Sequence, residues 1–539
     1  MTLAQPKPSA LRYLLPSVRD LIFIFLFWSL MAGALSNRPL GDADIGWHIR
    51  TGERILATHS LPRTDPFSST MQGQPWFAWE WLYDIALGFL HKACGLNGVV
   101  WLCAALVAAV FVILLSQLLQ RGTGLLLAIG LMLLSEAAAA IHLYARPHIV
   151  SWLFSLLWFV MLERWENADH ATKQGSLPRW IPWFFPASML LWVNLHAGWL
   201  FGMALLTIYA FAAVGAVWTT RDPFASIRAA HRARTLGGMW LASAIATLVN
   251  PYGWRLHAHI YQYLTDRYLM DRIDEFQSPN FHDWGGRCFA IILLLVLIAL
   301  TTGVSRDDQG KFRLSHLLVL LLAAYAGFYS SRNLPVSSML LVLIAGPLLW
   351  QSFTALAARP GAWPWLRNGA ARIADFSDRM GMQESQLRGH LWPVVSVACA
   401  LAICLQGGRL GSHQVIQAHF DSAKVPVAAV RFLQDESRSA ADVPPVFSTD
   451  AWGGYLIYAM YPGRKVVVDD RHDLYGSERI REYLTVTQAE AGWQNVLTKW
   501  QIRTALLPAD STLANLLREL PQDWRIAYED KVAVVFERR

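Results

Sequence analysis

Two aspartates stand close together in the segment Asp42-Ala-Asp44, shortly after the first apolar run of the chain. A carboxylate within hydrogen-bond reach of a hydroxyl can act as its general base, so Asp42 and Asp44 are candidate bases, and His48 is a further candidate proton carrier. In an extended segment both carboxylates would face one side. The alternative is structural, because a helix is predicted from about Ile45 and Asp44 suits its N-cap.

Two arginines at the ends of later apolar runs are suited to bind a phosphate group. Arg146 comes shortly before His148, and Arg332 immediately precedes Asn333. A guanidinium group binds phosphate oxygens with bidentate geometry, so we predict that these two pairs contact a phosphorylated substrate. The alternative is that each arginine snorkels to the membrane surface.

Other loops between the apolar runs contribute further candidates for substrate binding, namely His196, His282 and Asp283. A single histidine is more often a packed, hydrogen-bonded residue than a ligand. Asp42 and Asp44 also offer the hard oxygen ligands that Mg²⁺ or Mn²⁺ prefers. The first loop is therefore a candidate metal site, although no ligand spacing in the sequence demands a metal.

Two polar motifs follow predicted strands near the C-terminus. They are Asp450-Ala-Trp452-Gly-Gly-Tyr455 and Asp470-Arg471. Loops at the carboxyl ends of strands form the ligand sites of α/β domains, so these five residues are candidates for substrate binding. The structural alternative is a helix cap at Asp450, turn glycines, and a surface ion pair between Asp470 and Arg471.

The composition identifies the elements that must position these residues. Of 539 residues, 54% are hydrophobic and 16% are charged, against about 25% charged in soluble domains. The 25 tryptophans fit a chain that meets membrane interfaces. A soluble fold could not bury this much apolar surface. The net charge of +7 resides mostly in short loops, where it predicts contact with anionic lipid headgroups and not with nucleic acid.

Eleven apolar runs approach the ~20 residues that span a bilayer. Basic loops follow the even-numbered runs, most clearly Arg221 to Arg234, so the positive-inside rule places these loops and the N-terminus in the cytoplasm. An odd number of spans then places the C-terminal region outside. The prediction is a multi-pass protein of the cell membrane, with runs at 20–36, 98–119, 124–143, 148–163, 181–195, 199–219, 236–250, 288–303, 315–330, 335–356 and 391–406.

The segment 77–93 does not fit that count. If it were a span, every later loop would be inverted and the arginine-rich loops would lie outside. Its Trp79 and Trp81 alternate with charged residues, among them Glu80 and Asp84. This pattern suits a helix that lies in the membrane interface, and we predict that placement.

The predicted fold is an α-helical polytopic membrane protein with a C-terminal α/β domain. Residues 1–406 form the transmembrane domain with a large first outer loop at 37–97, residues 407–425 form a linker, and residues 426–539 form the extracytoplasmic domain. Alternating strand and helix patterns argue for a small sheet covered by helices. The predicted strands are 445–448, 465–469, 504–507, 524–528 and 532–536, and the predicted helices are 425–434, 454–460, 476–488 and 511–520.

This layout resembles the GT-C superfamily of membrane glycosyltransferases, including bacterial members with the same motif order. The residues that carry the resemblance are Asp42-Ala-Asp44 in the first outer loop and the segment 77–93. Asp450-Ala-Trp-Gly-Gly-Tyr455 loosely resembles the WWDYG-type motif of oligosaccharyltransferase catalytic subunits. It lacks the tandem tryptophan, so recognition of an acceptor sequon does not follow.

The resemblance implies a glycosyltransferase that takes a sugar from a polyprenyl-phosphate carrier. The acceptor would be a glycan, a lipid or a protein on the outer side, a first-loop aspartate would be the base, and arginines would hold the phosphate. A transporter or flippase is the main alternative, but it predicts polar residues at both faces and broken helices near the midplane. A non-catalytic assembly factor for cell-envelope glycans is the third hypothesis.

Overall fold

The computed structural model describes residues 11–170, 180–302, 313–358, 361, 363–387, 390–437 and 443–539. Parts of three loops that we predict to be cytoplasmic lie outside these residues, namely 171–179, 303–312, and positions 359–360, 362 and 388–389 of the loop after the tenth apolar run. The helices of the N-terminal region are α1 (Leu11–Leu14), α2 (Val18–Met31), α3 (Ile45–Thr58), α4 (Trp81–Cys94), α5 (Leu96–Gln120), α6 (Leu125–Ala139), α7 (His148–His170), α8 (Ile181–Trp192), α9 (Trp199–Thr219), α10 (Pro223–Ala246), α11 (Trp254–Thr265), α12 (Arg267–Met270), α13 (Trp284–Thr302), α14 (Leu314–Tyr329), α15 (Leu334–Ala358), α16 (Pro364–Gln386) and α17 (Leu391–Leu405). Short 3-10 helices occupy Ala140–His142, Asp274–Phe276 and Ser331–Asn333.

Each of the eleven apolar runs overlaps a helix, namely α2, α5 to α10, α13 to α15 or α17. In the part of the chain that the structure describes, five helical stretches are long and apolar enough to cross a membrane. The total of eleven spans stays a prediction, because several of the other helices are shorter. The five stretches are Leu96–Gln120, Leu125–His142, Trp199–Thr219, Trp284–Thr301 and Ser331–Leu356.

Helix α5 illustrates why these runs form buried helices. It contains no proline and no charged residue over its 25 positions. Val107, Phe111 and Leu114 recur at helical spacing, and all three are fully buried. Neighbouring helices therefore cover much of the apolar surface of α5, and the remainder faces the surroundings of the bundle.

The first outer loop, residues 37–97, whose outer location stays a prediction, contains α3 and α4, which lie against each other. A Cβ atom added to Gly52 would lie 1.8 Å from the carbonyl oxygen of Asp84, so the two backbones touch. This contact fixes Asp84 against α3, next to His48. The segment 77–93 thus contributes α4 to the loop, and its placement at the membrane interface stays a prediction.

The C-terminal region forms a small α/β domain, as the sequence predicts. Its sheet has the strand order β3-β4-β6-β5, in which β3 and β4 are parallel and the other pairs are antiparallel. Phe447, Leu506 and Val535 form part of its buried core. The elements are β1 (Arg409–Leu410), β2 (His413–Gln414), α18 (Val427–Ser437), β3 (Val446–Ser448), α19 (Asp450–Met460), α20 (His472–Thr487), α21 (Trp493–Lys499), β4 (Thr504–Pro508), α22 (Thr512–Arg518), β5 (Trp524–Glu529) and β6 (Ala533–Arg538).

Residues 465–469 do not form a strand of this sheet, and the prediction of a strand there was wrong. Val466 makes single-residue bridges to Val446 on one side and to Ser68 of the first outer loop on the other. A regular ladder requires successive pairs along both strands. Because this segment connects two regions of the chain, the first outer loop is hydrogen-bonded directly to the C-terminal domain.

Candidate functional site

The site forms where α3 of the first outer loop meets α19 of the C-terminal domain. The two helices touch at Gly46 and Gly454, where neither residue has room for a side chain. Asp44 immediately precedes α3, and Asp470 lies shortly before α20. The contact between the helices therefore brings a carboxylate of the first loop next to one of the C-terminal domain.

Three carboxylates converge at this point. Ligand oxygens of Asp42, Asp44 and Asp470 lie within 4.8 Å of one another. Arg146 pairs with the first two, since its Nη1 lies 2.8 Å from Asp42 Oδ2 and its Nη2 lies 3.3 Å from Asp44 Oδ2. Arg146 Nη1 also lies 2.7 Å from Glu275 Oε1. Four predicted residues are thus assembled with one carboxylate that was not predicted, Glu275, and the four are Asp42, Asp44, Arg146 and Asp470.

Asp44 is the most buried member of this cluster, at 2% exposure. It occupies the N-cap position of α3 but makes no capping hydrogen bond, and its Oδ1 has no hydrogen-bond partner in the described part of the chain. Burial, and then the charges of Asp470 and Asp42, raise its pKa well above the usual range. Burial also raises the pKa of Asp470 to about 7. The cluster therefore favours the binding of a proton or another cation.

A second group of polar residues adjoins Asp470 on the C-terminal domain. His472 Nε2 lies 3.0 Å from Asp450 Oδ2, and the Tyr483 hydroxyl donates to Asp450 Oδ1 at 2.9 Å. Burial opposes ionisation of Asp450, but the hydrogen bonds from His472 and Tyr483 bring its pKa below the usual value. His472 Nδ1 lies 3.6 Å from Asp470 Oδ1. Asp450 thus holds His472 beside the carboxylate cluster.

Two cavities meet at the site. A small polar cavity of about 70 Å³ contains Asp44, Arg146 and Asp470 in its wall. A larger cavity of about 240 Å³ has a mainly apolar wall. Its apolar lining includes Trp152, Leu200, Phe201, Ile260, Leu264 and Val336. Four residues line both cavities and mark their junction, namely Trp79, Glu80, Tyr263 and Arg332.

Arg332 is the cation at this junction. Its Nη1 lies 3.5 Å from Glu275 Oε2, and its Nη2 lies 3.2 Å from His196 Nε2. The backbone N–H of Ser331 donates to the carbonyl of Gln277 at 2.8 Å. This bond holds the helical turn of Arg332 against the loop that carries Glu275, so both residues reach the same point.

The other predicted residues of this region line the apolar cavity. His148 Nε2 lies 2.7 Å from the carbonyl oxygen of His142. Asn333 donates a side-chain hydrogen bond to the carbonyl of Ala326 at 3.1 Å. Together with His196 they give the apolar cavity a polar end near Arg332.

Four predicted residues do not join the site in the described structure. His282 and Asp283 are exposed, and neither lines a cavity described above. Trp452 is buried and donates to the carbonyl of Lys424 at 2.8 Å. Tyr455 is buried against Phe420, with ring centroids 5.1 Å apart. The two aromatic residues therefore contribute to the packing of the C-terminal domain.

Arg471 lines the polar cavity, but its guanidinium is already paired. It binds both oxygens of Asp469, at 2.8 and 2.7 Å, and its Nη1 lies 2.8 Å from Asp65 Oδ1. Its Cζ lies 5.2 Å and 4.7 Å from the ring centroids of Phe67 and Trp76. Arg471 is thus inserted from the C-terminal domain into the first outer loop and connects the two.

The sequence interpretation assigned no site role to several residues of this region. Glu80 and Asp84 were interpreted only as parts of an interfacial helix. His48 Nδ1 lies 2.6 Å from Asp84 Oδ1, and its Nε2 lies 3.7 Å from Glu80 Oε2. The spacing of Glu80 and Asp84, which suits one helix face, could have indicated a shared role. Nothing local in the sequence marks Glu275 as a partner of two arginines.

No protein-family model and no curated protein matches this sequence. Solved structures are similar in fold. One is the archaeal oligosaccharyltransferase AglB from Archaeoglobus fulgidus in complex with an inhibitory peptide and a dolichol-phosphate, with a TM-score of 0.52 and 11% identity. Another is the apo form of the oligosaccharyltransferase of that organism, with a TM-score of 0.53 and 11% identity. Each match covers 91% of this chain and 69% of the other. At this identity the likeness establishes the fold, as the GT-C resemblance predicts.

Proposed function

We propose that this chain is a membrane glycosyltransferase that takes a sugar from a polyprenyl-phosphate-linked donor. The observation that carries the proposal is the junction of a small, carboxylate-lined cavity with a larger apolar one. A donor of this class has the same order of parts, namely a polar sugar, a phosphate and a hydrocarbon chain. The fold shared with an oligosaccharyltransferase bound to dolichol-phosphate supports this assignment.

Arg332 is the group best placed to hold the donor phosphate. It lies at the junction of the cavities, and its carboxylate partner is at 3.5 Å. Arg146 is surrounded by Asp42, Asp44 and Glu275, and Arg471 is held by Asp65 and Asp469. The charge of Arg332 is therefore the most available of the three, and His148, His196 and Asn333 provide polar groups around the same phosphate.

The carboxylate cluster supplies the base. An acceptor hydroxyl attacks the anomeric carbon of the donor sugar, so that a new C–O bond forms while the bond from that carbon to the phosphate oxygen breaks. The acceptor proton passes to the pair formed by Asp44 and Asp470, whose ionised member is the base. Polyprenyl phosphate is the leaving group and stays at Arg332. His472, held by Asp450, lies beside Asp470 and orients that carboxylate.

The same cluster has the ligand chemistry for a divalent cation. Asp42, Asp44 and Asp470 offer oxygens within 4.8 Å, and the buried Asp44 Oδ1 lacks a partner in the described residues. These three residues would hold Mg²⁺ or Mn²⁺, which favour carboxylate oxygens. Such an ion would supply positive charge close to the reacting groups.

The proposed placement follows the charge pattern of the loops. The chain spans the cell membrane several times, its N-terminus is cytoplasmic, and residues 426–539 are extracytoplasmic. The acceptor is a glycan, a lipid or a protein that reaches the polar cavity from that side. Membrane lipids surround the apolar helices.

The proposal is tested by profiling lipid-linked sugars and surface glycans by mass spectrometry in a strain that lacks the protein. The strain is complemented with the wild type, with the Asp42→Asn, Asp44→Asn double variant, or with Asp283→Asn as a control for an exposed carboxylate. We expect one polyprenyl-phosphate sugar to accumulate and one glycan to lose that sugar, with rescue by the wild type and by Asp283→Asn only. An unchanged lipid-linked pool and unchanged glycans would overturn the transferase assignment.

A further inference from the structure

Glu80 occupies a position that the proposed reaction does not yet use. It precedes α4, is 8% exposed and lines both cavities. Its Oε2 lies 3.7 Å from His48 Nε2, and its Oε1 lies 3.7 Å from His196 Nε2. These distances exceed those of a hydrogen bond. In the described part of the chain no hydrogen bond joins the Glu80 carboxyl group to another side chain.

The bonding of His196 defines what faces Glu80 on one side. Its Nδ1 accepts a hydrogen bond from the backbone N–H of Gly198 at 3.0 Å. Ser151 Oγ lies 2.7 Å from the same atom and receives the indole N–H of Trp192. An imidazolium ion cannot accept at either ring nitrogen. Arg332 Nη2, which can only donate, lies 3.2 Å from His196 Nε2, so both ring nitrogens face donors and His196 is neutral.

An ionised Glu80 carboxylate would be unfavourable at this junction for two reasons. It would be a buried charge with no hydrogen-bonded partner, which is costly. It would also repel a phosphate held at Arg332, because both groups line the same junction. A neutral carboxyl group avoids both the unpaired buried charge and the repulsion of the phosphate, and it has an O–H group that can donate a hydrogen bond.

We propose that Glu80 donates a hydrogen bond to the phosphate group of the lipid-linked sugar. Its carboxyl group stays neutral between His48 and His196 and therefore keeps the O–H that makes this bond. Arg332 supplies the positive charge, and Glu80 supplies a further hydrogen bond without adding a negative charge. The site then matches a phosphodiester, which carries one negative charge. This inference depends on the proposed function, since it requires a phosphate at the junction of the two cavities.

Charged and titratable groups face Glu80 from several elements. Burial raises the pKa of Glu80 to about 8, with Arg332 and Arg146 opposing that shift and Asp473 and Asp44 adding to it. Burial lowers the pKa of His48 and of His196 well below the usual value, so neither imidazole titrates above pH ~7. The groups around Glu80 are thus His48, Asp84, Asp44, Arg146, His196, Arg332 and Asp473.

The sign of the pH effect follows from linkage. The protonated form of Glu80 binds the phosphate and the ionised form does not, so affinity is constant below its pKa and falls as pH rises through it. Above that point the loss approaches about tenfold per pH unit. A singly charged phosphodiester keeps its own charge throughout, so a change in affinity reports on the protein.

The test is equilibrium binding of radiolabelled farnesyl methyl phosphate to the purified full chain in detergent, from about pH 6 to about pH 9.5. Farnesol, which lacks the phosphate, reports on the apolar cavity alone. Wild type, Glu80→Gln, His196→Gln and the exposed-site control Glu478→Gln are compared. We expect the affinity of wild type, His196→Gln and Glu478→Gln for the diester to fall above about pH 8. We expect Glu80→Gln to bind with no such fall, since its amide remains a donor, and farnesol binding to be independent of pH.

Each contrary outcome has a distinct meaning. Diester affinity that does not change with pH in the wild type, or that falls equally in Glu80→Gln, would overturn the role of Glu80 and leave the proposed function standing. Loss of diester binding by Glu80→Gln at every pH would show that a carboxylate is required and would also overturn it. If the wild type binds farnesol and not the diester, the lipid-phosphate site itself is wrong. Should Glu80→Gln fail to purify, Glu80→Ala replaces it, with the donor lost and diester affinity weakened most below about pH 8.

Discussion

Gly46 and Gly454 are in backbone contact, since a Cβ atom on Gly46 would lie 2.2 Å from the carbonyl oxygen of Gly454. The first residue lies in the first turn of α3, and the second lies in α19 of the C-terminal domain. A Cβ atom on Gly454 would in turn lie 2.3 Å from the carbonyl oxygen of Ala43. The second glycine of the Trp-Gly-Gly-Tyr motif is therefore a contact surface for α3, and it sets the distance between Asp44 and Asp470.

Substitution of Gly454 tests this contact. Gly454→Ala should force the two helices apart, cost about 1–3 kcal/mol through overpacking, and lower transfer activity by separating the carboxylates. Gly238→Ala is the matched control, because nothing lies within 4 Å of a Cβ atom there and alanine favours a helix over glycine. Thermal unfolding in detergent and transfer assays should show a loss in the first variant only. Equal behaviour of the two variants would contradict a tight contact.

The pair of carboxylates across this contact should be essential for transfer. Asp44→Asn and Asp470→Asn should each lower the rate by at least about 10²-fold, since the acceptor proton then has no base. Membrane insertion and thermal stability should be retained, because asparagine has the same shape. A transfer assay with the accumulated donor decides this, and Asp283→Asn provides the control. Normal turnover of both variants would show that the base lies elsewhere.

Metal binding should follow the same residues. The purified chain should bind Mn²⁺, and the electron paramagnetic resonance signal of free Mn²⁺ should decrease when protein is added. Asp44→Asn should weaken this binding, because it removes one of three ligands of a small oxygen-based site. Treatment with EDTA followed by Mg²⁺ should remove and restore activity. If wild type and Asp44→Asn leave the same free Mn²⁺ signal, the cluster holds protons and not a metal.

Arg332 should determine the affinity for the donor. Arg332→Gln should raise KM for the donor and weaken phosphodiester binding by roughly 10- to 100-fold, as expected for loss of a charge-assisted hydrogen bond. Arg287→Gln removes an exposed arginine in the first turn of α13 and should have no effect. Binding of farnesyl methyl phosphate measures the difference directly. An unchanged affinity in Arg332→Gln would assign the phosphate to another cation.

Arg471 should matter for stability. Arg471→Gln leaves Asp65 and Asp469 buried without their cation, which typically costs about 3–5 kcal/mol. Arg525→Gln, which disrupts an exposed pair with Glu537, should cost less than about 1 kcal/mol. Burial opposes ionisation of Asp65, but the charge of Arg471 and the hydrogen bonds from Ser68 and Phe67 together lower its pKa, which gives the sign of the pH effect. Its contribution is present above the ordinary carboxyl pKa of about 3.9 and is lost as pH falls through the lower folded value. Melting temperatures of both variants at neutral pH, and of the wild type at acidic pH, test this.

Local sequence determined the helices and most strands of this protein. A long run of apolar residues forms a helix because its backbone hydrogen bonds are made within the run, and this holds even for the runs that contain Pro186 and Pro347. All eleven apolar runs therefore overlap helices, and four predicted strands of the C-terminal domain form its sheet. The prediction of a strand at 465–469 was wrong because a strand requires successive paired residues on a neighbouring strand. Val466 pairs with only one residue of the first loop and one residue of β3.

The site could be predicted only in part. Residue chemistry and position after an apolar run identified Asp42, Asp44, Arg146 and Arg332, which the structure gathers around one junction. The same reasoning selected His282 and Asp283, which remain exposed outside the described cavities, because a polar residue in a loop can face water as easily as a site.

Tertiary structure alone decided the rest. Asp470 reaches Asp44 through a glycine contact between distant helices, and Glu275 reaches Arg146 and Arg332 through a loop-to-loop hydrogen bond. Glu80 became a site residue because it lies where two cavities join. These distances depend on how whole helices pack, and burial then sets the charge state of each carboxyl group. Neither property is encoded in the residues that immediately surround these side chains.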